Sequence, residues 1–190
     1  MAMTTIDVHS HYVPRGWPDL AAAAGSAGSA GAAGAAGSAT GWPWLRAESE
    51  RDATIMIGSR QFRRIRSDSW DAETRLADMD ADGVDIQVVS PTPVFFSYTR
   101  PGDQALKVAR IFNDLALEIC APAPDRFLPF CQVPLQDPDA ACAELDRCLA
   151  AGHVGVEIGN HIGDRDLDDE GIITFLQHCA QAGVPVFVHP

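Results

Sequence analysis

Positive charge is scarce in this chain. Fourteen lysines and arginines stand against 26 aspartates and glutamates in 190 residues, for a formal net charge of −12. No basic stripe exists to displace counterions from phosphates, which argues against nucleic acid as a partner. The same imbalance disfavours docking on an anionic membrane surface. An anionic small molecule stays open as a ligand, provided that a local arginine or a metal ion receives it.

Other absences narrow the field further. The five cysteines (Cys120, Cys131, Cys142, Cys148, Cys179) are odd in number and include no Cys-x-x-Cys pair. In a chain this long that speaks for reduced thiols in a cytoplasmic protein. Most fall within helical patterns, where they read as small buried hydrophobes. The opening MAMTTIDVHSHY has neither a basic nor an apolar leader region, so no signal peptide is expected. No P-loop and no Gly-x-Gly-x-x-Gly element occurs, leaving nucleotide cofactors without support. Residues 21–39 hold only Ala, Gly and Ser. Such a stretch has little to bury and much backbone entropy to lose, so a disordered low-complexity surface loop is expected there.

What is present is a globular composition, 46% hydrophobic and 21% charged, enough for one domain with a sizeable core. Short β-branched apolar runs occur at Thr4–Val8, Val84–Val89, Phe127–Val133, Val154–Ile158 and Val184–Val188. Amphipathic stretches separate them. One runs from about Asp71 to Ala81, and another from Gln104 to Cys120. A third is bounded by Asp137-Pro138 and Gly152, and a fourth by a capping Asp168 and Gly183. Alternating strands and helices, with strands apolar on both faces, predict a parallel α/β sheet, either doubly wound or barrel. Five strands are too few to close an eight-stranded barrel.

The chemistry starts at IDVHSHYVP. Spacing by two places Asp7, His9 and His11 on one side of a strand. Two imidazoles at the mouth of a buried strand can chelate one metal. Zinc suits nitrogen donors best among the common ions, and iron, manganese and cobalt also take them. His189, in VPVFVHP, ends another buried strand, at the rim where the active sites of such folds collect. Three histidines at one rim predict a metal site.

Together with PWL at Pro43–Leu45, TIMIG, QFR at Gln61–Arg63, GVDIQVVSPTPVFFSYT, QVPLQD and GNHIGDRDLDD, these segments give the chain a clear likeness. It resembles the 2-amino-3-carboxymuconate 6-semialdehyde decarboxylase family of the metal-dependent amidohydrolase superfamily. The similarity covers nearly everything but the Ala/Gly/Ser stretch. It implies an incomplete (β/α)8 TIM-type barrel of about five strands, with residues 1–190 forming the N-terminal portion of a single domain. It also implies a zinc ion held by His9, His11 and His189, and Arg63 as the residue that holds a substrate carboxylate. A planar guanidinium suits that task, although Arg64 and Arg66 lie alongside and a solvated loop arginine is the alternative.

The family's later strands supply a further histidine, for acid/base work, and an aspartate ligand. Neither is in this sequence, so the general acid/base residue is unassigned and the chain by itself is expected to be inactive. Among weaker candidates, Glu157 alternates with Val156 and is expected to face the interior as a hydrogen-bond partner. His161 either lines the pocket or stabilises its loop; His153 and His178 read as structural. For the full-length protein the resemblance implies non-oxidative decarboxylation of a small carboxylate in tryptophan (kynurenine) breakdown, and is compatible with a homodimer. Two alternatives stand: a hydrolase acting on a lactone or amide through the same zinc, and a non-catalytic metal-binding remnant.

Overall fold

The computed structural model describes residues 3–25 and 41–190. In chain order the elements are β1 (Ile6–Tyr12), α1 (Leu20–Ala23), β2 (Pro43–Ala47), β3 (Asp52–Ile57) and β4 (Arg60–Arg66). Then come α2 (Ala72–Asp82), β5 (Ile86–Pro91), α3 (Gly102–Cys120), β6 (Phe127–Cys131), α4 (Pro138–Ala151) and β7 (Gly155–Gly159). The short β8 (His161–Ile162) and β9 (Arg165–Asp166) precede α5 (Glu170–Ala182) and β10 (Val186–His189).

The five apolar runs form one parallel sheet, ordered β1-β5-β6-β7-β10. Neighbouring strands lie about 4.8 Å apart, so a flat sheet would separate β1 from β10 by about 19 Å. Instead the rings of His9 and His189, on those two strands, are 5.0 Å apart. The sheet is therefore curled into a half-barrel, with the histidines on its concave side.

Helices cover the convex side. Tyr12, Val89 and Phe127 pack there against Met79 of α2 and Ala116 and Cys120 of α3. Cys131, Val156 and Ile158 pack against Leu145 and Cys148 of α4 and Phe175 and Cys179 of α5. Four of the five cysteines are thus buried hydrophobes, and all five are free thiols. Asp71 and Asp137 cap α2 and α4 by accepting from the Thr74 and Ala140 backbone N–H groups. For α5 the cap is Asp169, not Asp168: its carboxylate accepts from the Gly171 N–H.

Two features depart from expectation. Between β1 and α2, strands β2, β3 and β4 form a separate antiparallel sheet, in a region where the sequence pattern shows no strand. The β4 sequence RQFRRIR is exposed along its length except at part-buried Ile65, so it has no apolar alternation to read. The inner strand β3 anchors this sheet through Ile55, which joins Trp42, Phe95, Val108 and Phe112 in a buried cluster. The Ala/Gly/Ser stretch, in turn, does not begin as loop. Asp19 accepts from the Ala21 and Ala22 N–H groups to start α1, and Ala21 and Ala24 are buried in that same cluster. Residues 26–39 of the expected loop lie outside the described residues.

Candidate metal centre

The first strand is irregular where the site is built. Asp7 pairs with Gln87 and Ser10 with Val89, so three steps along β1 match two along β5. The extra residue is a β-bulge, and it breaks the two-residue alternation. Asp7 consequently does not join His9 and His11, contrary to the reading from spacing. Its Oδ2 accepts from Gln87 Nε2 at 2.9 Å, and Gln87 Oε1 accepts from Arg75 Nη1 of α2 at 2.8 Å. Its Oδ1 accepts from the His9 backbone N–H at 3.0 Å.

His9 and His11 meet His189 across the curl of the sheet. His9 Nε2 and His11 Nε2 are 3.2 Å apart, and the three ring centroids are separated by 5.0, 5.0 and 5.1 Å. One nitrogen from each ring lies within 4.8 Å of the others. Two nitrogens bound to one zinc at about 2.0–2.1 Å in tetrahedral geometry stand about 3.3 Å apart. The donor set therefore fits a divalent ion in chemistry, and the His9–His11 pair fits it in spacing.

The electrostatics agree. His11 is held down to about 4 by burial first, then by repulsion from His189 and His9, against an opposing contribution from the Pro91 carbonyl. It is a neutral imidazole, as a ligand must be. Glu157 does face the interior. Its side chain has no solvent exposure, neither oxygen has a hydrogen-bond partner among the described residues, and Oε1 is 3.8 Å from His11 Nδ1. Burial pushes its carboxyl up to about 8. The nearby Ser90 hydroxyl opposes that shift without reaching hydrogen-bonding geometry. A buried carboxyl group beside the His11 imidazole, held neutral by that burial, is a costly arrangement, and a nearby cation would favour its ionised form.

A cleft of ≈ 660 Å³ links this cluster to the antiparallel sheet; His11, Val13, Ile55, Arg63, Arg64 and Thr92 are among its lining residues. Arg63 thus lies on a strand, opposite Ile55 of β3, rather than on a loop. The three neighbouring arginines are not equivalent. Arg64 pairs with Glu48 at 3.2 Å and Arg66 with Asp68 at 3.1 Å. Arg63 has no carboxylate partner among the described residues, and its guanidinium lies 5.9 Å from the Phe62 ring.

The remaining histidines stand apart from the cluster. His161 is exposed, with Nδ1 2.7 Å from Asn160 Oδ1. His153 is buried with Nδ1 3.2 Å from the Cys148 carbonyl, and His178 pairs with Asp146 at 2.7 Å. Sequence reasoning missed Ser90 and Arg75. Arg75 had a signal: it sits one helical turn before the buried Met79, on the face α2 turns to the sheet.

A curled parallel sheet with an imidazole cluster at the C-terminal rim of its first and last strands defines the (β/α)-barrel class of site. Residues 6–190 match the amidohydrolase family, and the chain belongs to it. Among its relatives, the 2-amino-3-carboxymuconate-6-semialdehyde decarboxylase of Dictyostelium discoideum is 33% identical over 97% of this chain and 48% of its own length. The structure of 2,6-dihydroxybenzoate decarboxylase from Rhizobium superposes with a TM-score of 0.66 at 25% identity, covering 100% of this chain and 50% of that one. The fold also matches 5-carboxyvanillate decarboxylase from Novosphingobium aromaticivorans, a structure with manganese bound. There the TM-score is 0.67 at 24% identity, over 98% of this chain and 50% of that one. The chain thus spans about half the length of these relatives. No helix among the described residues is long and apolar enough to cross a membrane.

Proposed function

We propose that this chain carries the metal-binding and carboxylate-binding half of a non-oxidative decarboxylase, as the N-terminal portion of a single barrel domain. The observation that carries the reading is the cleft shared by His11, of the imidazole cluster, and Arg63, a guanidinium without a carboxylate partner among the described residues. His9, His11 and His189 would hold the metal. Three nitrogen donors favour zinc; manganese, named for the carboxyvanillate enzyme, is the alternative. A bound divalent ion supplies Lewis-acid polarisation at this position.

The chain's own residues bind and orient. Arg63 receives a substrate carboxylate in a bidentate pair and fixes it beside the histidine cluster, which is the positional part of catalysis. Decarboxylation breaks the carbon–carboxylate bond, releases carbon dioxide and leaves an electron pair on carbon that a proton must quench. No residue here is assigned to deliver that proton, so the isolated chain binds without turnover. The named relatives act on a conjugated muconate semialdehyde and on aromatic carboxylates, and the proposed substrate is a small acid of that kind. A homodimer of the full-length protein and a cytoplasmic location belong to the same proposal, the latter supported by the free thiols.

The test is carbon dioxide release from aminocarboxymuconate semialdehyde and from 2,6-dihydroxybenzoate, by the full-length protein before and after chelation. Metal-dependent release from either acid is expected. Lactone or amide hydrolysis with no carbon dioxide from either acid would overturn the decarboxylase reading.

A further inference from the structure

We propose that Ser90 and Glu157 form a layer of hydrogen-bond acceptors behind the histidine cluster, which fixes the tautomer of His11 and so presents its Nε2 lone pair to the metal. The inference rests on His9, His11 and His189 being the metal ligands. It makes Ser90 and Glu157 positioning residues.

The tautomer follows from where each proton goes. Ser90 Oγ donates its single proton to the Ser10 carbonyl at 3.1 Å. Toward His11 Nδ1, 3.5 Å away, it therefore has only lone pairs to offer. On the same side stands Glu157, 3.8 Å from Nδ1. Its acceptor role needs only an oxygen lone pair, which either protonation state supplies. A displacement of under about 1 Å brings that contact to hydrogen-bond length. With acceptors on its Nδ1 side, His11 carries its proton on Nδ1 and leaves Nε2 bare. That nitrogen is the one 3.2 Å from His9 Nε2.

His189 is set in the same way. Its Nδ1 lies 2.9 Å from the Pro190 carbonyl, an acceptor only, so its Nε2 is also bare. Two rings thus have their tautomers fixed by contacts outside the cluster. The Glu157 contact is the expensive one, because the carboxyl is fully buried and has no hydrogen-bond partner among the described residues. Polarisation of the His11 N–H by a cation on the far nitrogen is what that geometry would reward. Three strands contribute to this chain of contacts, β1 with His11, β5 with Ser90 and β7 with Glu157, so the curl of the sheet is what assembles it.

The experiment measures metal affinity in the full-length protein, by competition of Zn²⁺ against a chromogenic chelator and by electron paramagnetic resonance of free Mn²⁺. Glu157→Leu removes the acceptor and should weaken binding ~10–100-fold. Glu157→Gln keeps an acceptor oxygen and should lie closer to wild type. Ser90→Ala should weaken binding in the same direction. Equal affinity for wild type and Glu157→Leu, with His9→Ala and His11→Ala still abolishing binding, would overturn this inference while leaving the ligand set intact. Binding unaffected by His9→Ala and His11→Ala would instead overturn the ligand set beneath it. Should the leucine variant fail to fold, ¹H–¹⁵N correlation of histidine-labelled, metal-free wild type decides. An Nδ1–H tautomer for His11 supports the inference, and an Nε2–H tautomer overturns it.

Discussion

Arg75 of α2 reaches the sheet and donates from Nη2 to the backbone carbonyl of His11 at 2.8 Å. A helix on the convex side thereby holds the backbone of a residue that works on the concave side. The same guanidinium bonds Gln87, which bonds Asp7, so one buried charge braces the bulged strand at two points. Arg75→Met keeps the bulk but leaves the His11 carbonyl and the Gln87 amide oxygen unpaired. The expected loss is about 1.5–3 kcal/mol in unfolding free energy, measured by urea titration, together with weaker metal binding. Unchanged urea midpoints would show that the brace is dispensable.

Removing single imidazoles tests the cluster directly. His9→Ala, His11→Ala and His189→Ala should each reduce the zinc or manganese retained after gel filtration, read by elemental analysis. His161→Ala and His178→Ala should retain the wild-type amount, because both side chains pair away from the cluster. Loss of metal in the second pair, with the first three unaffected, would relocate the site.

Two adjacent arginines of β4, Arg63 and Arg64, offer a graded test of carboxylate binding. Arg63→Ala should weaken binding of an aromatic carboxylate by ~10–100-fold, the worth of about 1.5–3 kcal/mol for a charge-assisted bond. Arg64→Ala should change it little, because Arg64 is exposed and already paired with Glu48. Fluorescence or calorimetric titration distinguishes the two. Equal effects would mean a diffuse positive patch rather than one receiving residue.

Acid should loosen the packing of α3 on α4. Burial tends to raise the Glu144 carboxyl, but hydrogen bonds from Arg147, Asn113 and Arg110 outweigh it and hold the group below its ordinary value. A depressed folded-state pKa contributes stability that is full above the unfolded value of about 4.3. It is lost as the pH falls through the folded one. Urea midpoints should therefore drop more between about pH 6 and pH 3.5 in wild type than in Glu144→Gln. The same drop in both would remove Glu144 from the account.

Much of this molecule can be read from its residues, for identifiable reasons. The parallel strands are short apolar runs, and each expected run overlaps one strand of the sheet, although the first stops at Val8 while β1 continues to Tyr12. His189 was legible because it closes such a run. The bulge at β1 was not, since an extra residue leaves no mark in IDVHSHY; only pairing with β5 reveals that Asp7 faces away. The antiparallel sheet was illegible for the opposite reason. Its β4 is exposed and arginine-rich, and β3 is held by partners as distant as Phe95 and Phe112. The inequality of Arg63, Arg64 and Arg66 depends on Glu48 and Asp68, which spacing alone does not pair with any of them.

The convergence of His9 and His189 also bears on how the chain folds. These residues lie 180 positions apart, and the sheet must be complete from β1 to β10 before their rings can meet. An ion shared between them would close a covalent-like loop around nearly the whole chain. Forming such a loop is late and entropically costly in folding. Once formed, it has to open before the edge strands can separate, so metal content would govern how long the native state lasts as well as what it does.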